Sequence, residues 1–220
     1  MPYLLRSILC FLVLIVFHAE SEADDQVMEV LSATVKVSHS ESTATAFFVS
    51  RETADGGELI LVTAAHVLEK ISDAECKLVL REKRLDGTYA RRETKITIRN
   101  EGQPLWTQHP KADVAAIKLD LASIHSNVPI NYERILNVTQ SDDCGLQMGD
   151  RIWVLGFPAQ LESGQSGFPV LRHGTVASFP LDKKTKTFMA DYTTYVGDSG
   201  GPVFKRDLAN SMPSTIVGLI

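Results

Sequence analysis

Residues 196–202 read V-G-D-S-G-G-P and set one serine, Ser199, among three glycines and a proline. Glycine loses more backbone freedom on folding than any other residue, so a glycine cluster indicates a sharp turn or a close approach between backbone segments. We therefore expect Ser199 to lie in a tight turn. A serine in such a turn acts as a nucleophile when a base, a group that orients the base and donors for the resulting oxyanion lie nearby.

Two earlier segments contain a base and an orienting group. Residues 63–67, T-A-A-H-V, place His66 at the end of an apolar run, and residues 113–119, D-V-A-A-I-K-L, begin with Asp113. Asp113 has few polar neighbours in the sequence, and a carboxylate in apolar surroundings needs a partner. An imidazole N–H would serve, because that bond fixes the tautomer of the ring and stabilises the imidazolium that forms during proton transfer.

The order of these residues along the chain separates three kinds of serine hydrolase. Gly197-x-Ser199-x-Gly201 also matches the nucleophile elbow of α/β-hydrolases, but that fold needs a histidine after the serine, and none follows Ser199. The subtilisin order needs a catalytic aspartate before His66, and the aspartates there all sit in polar, turn-like segments. The order of histidine, aspartate and serine matches the chymotrypsin arrangement.

The chain from residue 27 onward is predicted to be all-β. Short segments rich in β-branched and aromatic residues, several of them alternating polar and apolar positions, are separated by Gly, Pro, Asn and Asp. Only residues 65–71 have a helical pattern, and the polar segment 127–149 divides the chain into two comparable halves. Such spacing is typical of a sandwich or a barrel. The predicted strands are 30–37, 46–49, 59–63, 77–81, 94–98, 114–119, 152–155, 170–177, 187–191, 203–204 and 215–219.

The motifs at 63–66, 113–119 and 197–202, in that order, resemble the catalytic motifs of the chymotrypsin/trypsin-like serine proteases. The likeness spans residues 30–220. It is nearest to secreted bacterial-type members and to HtrA and glutamyl-endopeptidase-like members, which lack a trypsin-type activation site. The resemblance implies an all-β fold of two antiparallel six-stranded β-barrels with the site between them.

The same resemblance assigns roles to individual residues. His66 would be the general base and then the general acid, Asp113 would orient it, and Ser199 would be the nucleophile, with the N–H groups of Gly197 and Ser199 forming the oxyanion hole. The chain is thus expected to be a serine endopeptidase that acts on a polypeptide through an acyl-enzyme intermediate. Its predicted divisions are a signal peptide, an N-terminal barrel, a connection and an incomplete C-terminal barrel, at 1–23, 24–126, 127–149 and 150–220.

Substrate preference is expected to depend on the residues shortly before the serine. In the resembling family, the residue six positions before the serine lies at the base of the pocket for the side chain preceding the scissile bond. That residue is Thr193 here, and Thr194 follows it. Because neither is charged, we expect an uncharged side chain to be preferred there.

Asp198 raises a separate question. In trypsin-type zymogens a newly released N-terminal ammonium pairs with the aspartate before the serine, but this chain has no Arg/Lys-Ile-Val-Gly-Gly site near residue 30. Either Asp198 pairs with another cation or with polar donors, or the enzyme is built without that switch. The sequence favours the second interpretation.

Residues 215–220 correspond in the family to a strand that continues into a wall of the substrate pocket, a further strand and a C-terminal helix. The second barrel is therefore expected to lack its C-terminal strand and helix. An alternative function follows from this, namely a degenerate or non-catalytic protease-like binding module that kept its motifs.

The first residues have the pattern of a secretory signal peptide. Arg6 precedes an apolar run from residue 8 to residue 17, and small residues follow at Ala19, Ser21 and Ala23. The run is about half of the roughly twenty residues that span a bilayer, so no stable membrane anchor is expected after cleavage. The mature protein is predicted to be secreted or periplasmic.

The remaining composition restricts cofactors and partners. Without the signal peptide two cysteines remain, Cys76 and Cys144, which could form a disulfide or stay as buried thiols. Neither lies in a zinc-binding spacing, and we expect no metal and no cofactor. The formal net charge of −5 and the absence of a long basic run argue against nucleic acid as a partner.

Overall fold

The computed structural model consists mainly of short β-strands in two sheets, which confirms the all-β prediction. No helix in the part of the chain that the structure describes is long and apolar enough to cross a membrane. The predicted signal peptide, Cys144 and most of the predicted connection lie outside the described residues. The described residues are 27–40, 42–54, 56–120, 130–131, 135, 146–178, 187–206 and 214–220.

The first sheet contains eight strands among the described residues. Its neighbours run in the order β5-β4-β1-β2-β3-β9-β8, all antiparallel, and β10 pairs with β2 in parallel. Buried and less buried residues alternate at the end of β3, as the period of two requires, whereas β1 and β2 contain continuous runs of buried residues. The strands are β1 Thr34–His39, β2 Ser42–Thr53, β3 Gly56–Thr63, β4 Glu75–Lys83, β5 Tyr89–Thr97, β8 Thr107–Gln108, β9 Ala115–Leu119 and β10 Ile130–Asn131, with β6 Arg99–Asn100 and β7 Gln103–Pro104 forming a separate pair.

The second sheet contains five strands in the described part of the chain, in the antiparallel order β13-β12-β11-β14-β15. The predicted strand over 187–191 is wrong in its first half, since only its last two residues pair with β12. The strands are β11 Arg151–Gly156, β12 Val170–Val176, β13 Ala190–Asp191, β14 Pro202–Lys205 and β15 Thr215–Leu219.

Two α-helices and one 3-10 helix, Pro158–Gln160, lie in the described part of the chain. Residues 27–33 form α1, so the strand predicted over 30–37 is wrong at its beginning and starts only at Thr34. Two features stabilise α1: Val30 and Ala33 are buried in the core, and the Thr34 hydroxyl donates to the Val30 carbonyl over 2.7 Å. The second helix, α2 Ala65–Glu69, lies within the predicted helical segment.

The two sheets share a hydrophobic core. Phe47 and Val49 of β2 lie in one cluster with Leu155 of β11, Phe204 of β14 and Ile216 of β15. Burying a large apolar side chain contributes about 1.5–3 kcal/mol to the free energy of unfolding. The cluster therefore fixes β2 against the second sheet, close to where β2 meets the turn that carries Ser199.

A loop of the second half, residues 157–169, is tied to the first sheet by charged groups. Glu162 accepts hydrogen bonds from Lys36 at 2.9 Å and from Arg91 at 2.6 Å. Arg81, 2% exposed, donates to the Gly167 carbonyl at 2.9 Å and to carbonyls at the end of α1 and the start of β1. Burial lowers the pKa of Arg81 to about 10, so its guanidinium still carries its charge at neutral pH.

Candidate active site

His66 and Asp113 are brought together by the pairing of two strands. The end of β3 lies opposite the start of β9, with Thr63 beside Ala115. The chain turns into α2 just after β3, and the loop that holds Asp113 comes just before β9. Both side chains therefore emerge at the same edge of the first sheet.

Asp113 binds His66 through both carboxylate oxygens. Its Oδ1 accepts the backbone N–H of His66 at 2.9 Å, and its Oδ2 lies 2.5 Å from the ring Nδ1. The first contact satisfies an N–H in the first turn of α2 that has no partner within the helix. The second requires the proton on Nδ1 when the carboxylate is ionised, which leaves Nε2 free to accept a proton.

The charge of Asp113 is favoured by these contacts. Burial raises the pKa of the Asp113 carboxyl, but hydrogen bonds from the His66 ring and from the His66 N–H outweigh burial and hold the pKa below its ordinary value. Asp113 is thus ionised at neutral pH and acts as an acceptor toward the imidazole.

The loop before Asp113 is held by a second histidine. His109 Nδ1 accepts the N–H groups of Lys111 and Ala112 at 3.2 and 2.9 Å, and the His109 N–H donates to the Val114 carbonyl at 2.8 Å. This turn fixes the backbone on both sides of Asp113, so the role of His109 is to shape the loop.

Ser199 lies in a compact turn after a left-handed glycine. Gly197 has φ of 101°, and a Cβ there would lie 2.1 Å from the Phe157 carbonyl oxygen. Gly200 has φ of 84°, and a Cβ there would lie 2.1 Å from the Thr45 carbonyl oxygen. Both positions therefore require glycine, which explains the cluster in the sequence.

Strand β2 holds this turn from the other half of the chain. The N–H of Thr45 donates to the Ser199 carbonyl at 2.9 Å, and its hydroxyl donates to the Gly197 carbonyl at 2.7 Å. The Thr63 hydroxyl in turn donates to the Thr45 carbonyl at 2.7 Å. No pattern in the sequence singled out Thr45, because a buried threonine in a strand has no distinctive neighbours.

His66 and Ser199 line one cleft of about 290 Å³, together with Val37, Val67 and Gly197. Within the described residues, no hydrogen bond joins the Ser199 hydroxyl to the His66 ring. Nucleophile and base often make that bond only when substrate is bound. The structure therefore brings His66 into direct contact with Asp113 and places Ser199 in the same cleft.

The N–H groups around Ser199 fall into two kinds. The N–H of Asp198 donates to the Tyr195 carbonyl at 3.1 Å. No atom of the described chain accepts a hydrogen bond from the N–H of Gly197 or from that of Ser199. These two N–H groups are the ones predicted above to bind the oxyanion of a substrate, and both remain free to donate a hydrogen bond to it.

Thr193 and Thr194 lie on the approach to this turn. The Thr193 carbonyl accepts a hydrogen bond from Arg172 Nη1 at 3.0 Å. Thr194 lines a second cavity, of about 380 Å³, with Phe188, Tyr192 and other mostly apolar side chains. The lining described for this cavity contains one charged side chain, Asp113.

Asp198 pairs with a cation, Arg172, which is one of the two alternatives that the sequence left open, and the absence of a trypsin-type switch stays a prediction. Its Oδ1 accepts a hydrogen bond from Arg172 Nη2, and its Oδ2 accepts the Tyr195 N–H at 2.7 Å. Arg172 belongs to β12. A buried aspartate needs a positively charged partner, and this rule predicts that Asp198 has one. The rule does not indicate which residue of the chain is that partner.

Comparisons with known proteins agree with this architecture. A family model described as the trypsin-like peptidase domain matches residues 44–209, which include His66, Asp113 and Ser199. None of the curated proteins compared with the chain matches it. Among solved structures, the inactive form of a serine-to-alanine mutant of Rv3671c from M. tuberculosis H37Rv is similar, with a TM-score of 0.50 and 16% identity. That alignment covers 88% of this chain and 76% of the other, and at such identity it concerns the fold alone. Since the family model spans well over half of the sequence, the chain belongs to the trypsin-like peptidase domain family.

Proposed function

We propose that this chain is a secreted serine endopeptidase in which Ser199 is the nucleophile, His66 the base and Asp113 the orienting group. The observation that carries the proposal is the double contact of Asp113 with His66, at 2.9 and 2.5 Å, beside a cleft that Ser199 also lines. A carboxylate that binds both the backbone and the ring of one histidine fixes the ring in a single orientation and tautomer.

The proposed reaction has two halves. In the first, Ser199 Oγ attacks the carbonyl carbon of the substrate, and its proton passes to His66 Nε2. The oxyanion receives hydrogen bonds from the Gly197 and Ser199 N–H groups, the C–N bond breaks, and the proton on Nε2 leaves with the amine. In the second half, water attacks the acyl-enzyme, gives a proton to Nε2, and releases the acid as that proton returns to Ser199.

The proposed preference is for an uncharged side chain before the scissile bond. Thr194 belongs to the 380 Å³ cavity, whose described lining is mostly apolar. Its one described carboxylate, Asp113, is already bonded to His66. A lysine or arginine side chain would thus find no free carboxylate among the described lining residues, and a glutamate side chain would find no cation there.

Secretion or transport to the periplasm forms part of the proposal and rests on the sequence of residues 1–23. Expression of the full chain in a secreting host should yield a mature protein whose first residue follows Ser21 or Ala23, as read by N-terminal sequencing. A protein retained in the cell with residues 1–23 intact would overturn this part.

Peptide cleavage by the purified mature protein tests the activity. A panel that varies the residue before the scissile bond should be cleaved by the wild type and by Ser163→Ala, an exposed serine that serves as the control. In Ser199→Ala the rate should fall by more than about 10³-fold. Binding of peptides by folded wild-type protein, without cleavage, would favour the alternative of a protease-like binding module. Strong cleavage after Arg, Lys or Glu would contradict the proposed preference.

A further inference from the structure

Two consecutive residues of the loop 157–169 adopt the left-handed backbone conformation although neither is glycine. Ala159 has φ of 49° and ψ of 35°, and Gln160 has φ of 68°. A side chain makes this conformation unfavourable, because its Cβ lies too close to the following carbonyl oxygen. Strained backbone of this kind persists only where the surrounding structure holds it, and such positions are common at active sites.

The first residue of this left-handed pair contacts the turn that carries the proposed nucleophile. The N–H of Ala159 donates to the Val196 carbonyl at 2.7 Å. On the next residue, a Cβ at Gly197 would lie 2.1 Å from the Phe157 carbonyl oxygen. The loop therefore packs directly against the peptide unit that joins Val196 to Gly197.

That peptide unit carries one of the two N–H groups proposed for the oxyanion. The C=O of Val196 and the N–H of Gly197 belong to one planar trans peptide, so they point in opposite directions. When Ala159 fixes the carbonyl on the loop side, the N–H is turned away from the loop. Within the described residues no atom accepts a hydrogen bond from this N–H, and Gly197 lines the cleft that His66 and Ser199 share.

Lys36 holds the second residue of the left-handed pair from the other half of the chain. This lysine belongs to β1 and is 8% exposed. Its Nζ donates to the Gln160 carbonyl at 3.2 Å and to Glu162 Oε1 at 2.9 Å, and it lies 5.8 Å from the centroid of the Phe157 ring. A buried ammonium needs such partners, and the carboxylate supplies the opposite charge. Lys36 thus fixes the carbonyl that directly follows the pair.

We infer that Lys36 is a positioning residue of the proposed peptidase and that it aims the Gly197 N–H at the substrate oxyanion through the loop 157–169. By binding the Gln160 carbonyl it keeps the left-handed pair in place, and the pair presents its first N–H to the Val196 carbonyl. This inference rests on the proposed function. It names a residue of the first sheet that the catalytic motifs do not contain.

Removal of the ammonium should let the left-handed pair relax. Without a donor at its second carbonyl, the pair can return to negative φ, and the Ala159 N–H then turns away from the Val196 carbonyl. The peptide that joins Val196 to Gly197 becomes free to rotate, because Gly197 has no Cβ that restricts it. A donor without a fixed direction stabilises an oxyanion less, since a preorganised donor needs no reorientation during the reaction.

Lys36→Met tests the inference, because methionine keeps much of the length of the side chain but cannot donate a hydrogen bond. With the peptide that the wild type cleaves fastest, kcat should fall by more than about tenfold, while KM should change by less than about threefold. A smaller fall in kcat, or a loss of activity that appears only in KM, would overturn the inference. Lys36→Gln, which is uncharged and one bond shorter, takes its place if Lys36→Met does not fold.

Arg91→Met is the matched control. Arg91 is the second cation bound to Glu162, 2.6 Å from each carboxylate oxygen, and among the described contacts it makes none with the Gln160 carbonyl. Arg91→Met should therefore lose an ion pair of Glu162 and keep kcat within about threefold of wild type. If kcat falls as far in Arg91→Met as in Lys36→Met, the effect comes from the Glu162 ion pairs, and the inference is overturned.

Glycine in the left-handed pair should compensate for the missing ammonium. Glycine adopts positive φ about as readily as negative φ, so Ala159→Gly and Gln160→Gly together remove the strain that Lys36 opposes. Added to Lys36→Met, the two changes should raise kcat by at least about threefold. No rise would show that Lys36 does not act through the pair.

A further measurement does not depend on catalysis. Amide hydrogen exchange in a peptide that covers residues 157–163, which include the Ala159 N–H, should be faster in Lys36→Met than in wild type. Unchanged exchange there would overturn the inference. Wild-type protein that neither cleaves peptides nor reacts at Ser199 would instead overturn the proposed function, and exchange would still decide whether Lys36 holds the loop.

Discussion

The hydroxyl of Thr45 donates a hydrogen bond of 2.7 Å to the carbonyl oxygen of Gly197. A strand of the first sheet thereby holds the turn of the second half that carries Ser199. Because the Thr45 N–H also donates to the Ser199 carbonyl, at 2.9 Å, one residue fixes two carbonyl groups of the turn. The two halves of the site are thus connected by direct bonds as well as by the shared core.

Replacement of Thr45 by valine should weaken both stability and catalysis. Valine has nearly the same shape but cannot donate, so the Gly197 carbonyl would lose its partner, at a cost of about 1–3 kcal/mol. Thr45→Ser keeps the hydroxyl and should retain most of the activity. Urea unfolding and kcat measure the two effects, and equal kcat values for Thr45→Val and Thr45→Ser would contradict the assigned role.

Asp113→Asn should leave the fold intact and abolish most activity. The amide can accept the His66 N–H, but an NH₂ group that faces Nδ1 would favour the wrong tautomer of the ring. A loss of kcat on the order of 10⁴-fold is expected. The loss of kcat is measured from the rate of ester hydrolysis by the purified variant. Circular dichroism checks that the variant is folded. A loss below about tenfold would show that Asp113 does not orient the base.

The ion pairs of Glu162 with Lys36 and Arg91 should contribute to the free energy of unfolding at neutral pH, and this contribution should disappear in acid. Burial raises the pKa of the Glu162 carboxyl, but hydrogen bonds from Arg91 and Lys36 outweigh burial and hold the pKa below the ordinary value of 4.5. Because the folded state has the lower pKa, the contribution is complete above about pH 5 and is lost as the pH falls through the folded pKa.

The difference in free energy of unfolding between wild type and Glu162→Gln should therefore be about 1–3 kcal/mol at pH 7 and should shrink toward zero in acid. Urea titrations across this range measure it. Glu82→Gln, at an exposed position of β4, is the matched control and should change little at any pH. If the difference in free energy of unfolding between wild type and Glu162→Gln stays constant from pH 7 into acid, the role assigned to the Glu162 ion pairs is contradicted.

Cys76 should react very slowly with alkylating reagents in the folded protein. It is a free thiol, 3% exposed, and burial raises its pKa to about 12. Little thiolate forms at pH 8, so iodoacetamide should modify Cys76 at least about 10²-fold more slowly than in denaturant. Mass spectrometry of the peptide that contains Cys76 measures the rate. Equal rates in both conditions, or a disulfide between Cys76 and Cys144, would contradict the structure.

The sequence was sufficient to predict an all-β chain. It also singled out His66, Asp113 and Ser199 as the proposed catalytic residues, because motifs with fixed chemistry mark strand ends and tight turns. It was insufficient for α1, residues 27–33, whose valines fit a strand equally well. That segment is helical because its buried residues pack in the core between the two sheets. Packing of this kind overrides local propensity and is not visible in a single sequence.

The contacts that hold the proposed oxyanion turn were also beyond the sequence. Arg172 lies 26 residues before Asp198, and Thr45 lies 152 residues before Gly197. Alternation within a strand tells which face a residue occupies, but the partner on that face depends on the register with neighbouring strands. The contacts of Arg172 in β12 and of Thr45 in β2 can therefore be identified only in the folded structure.

The most direct test of the central claim is the reaction of the mature protein with a fluorophosphonate. The account predicts that one equivalent of reagent attaches to Ser199, as located by mass spectrometry, and that His66→Ala slows the reaction by more than about 10²-fold without unfolding the protein. Attachment to another serine, equal labelling of Ser199→Ala, or no attachment to folded wild-type protein would contradict it.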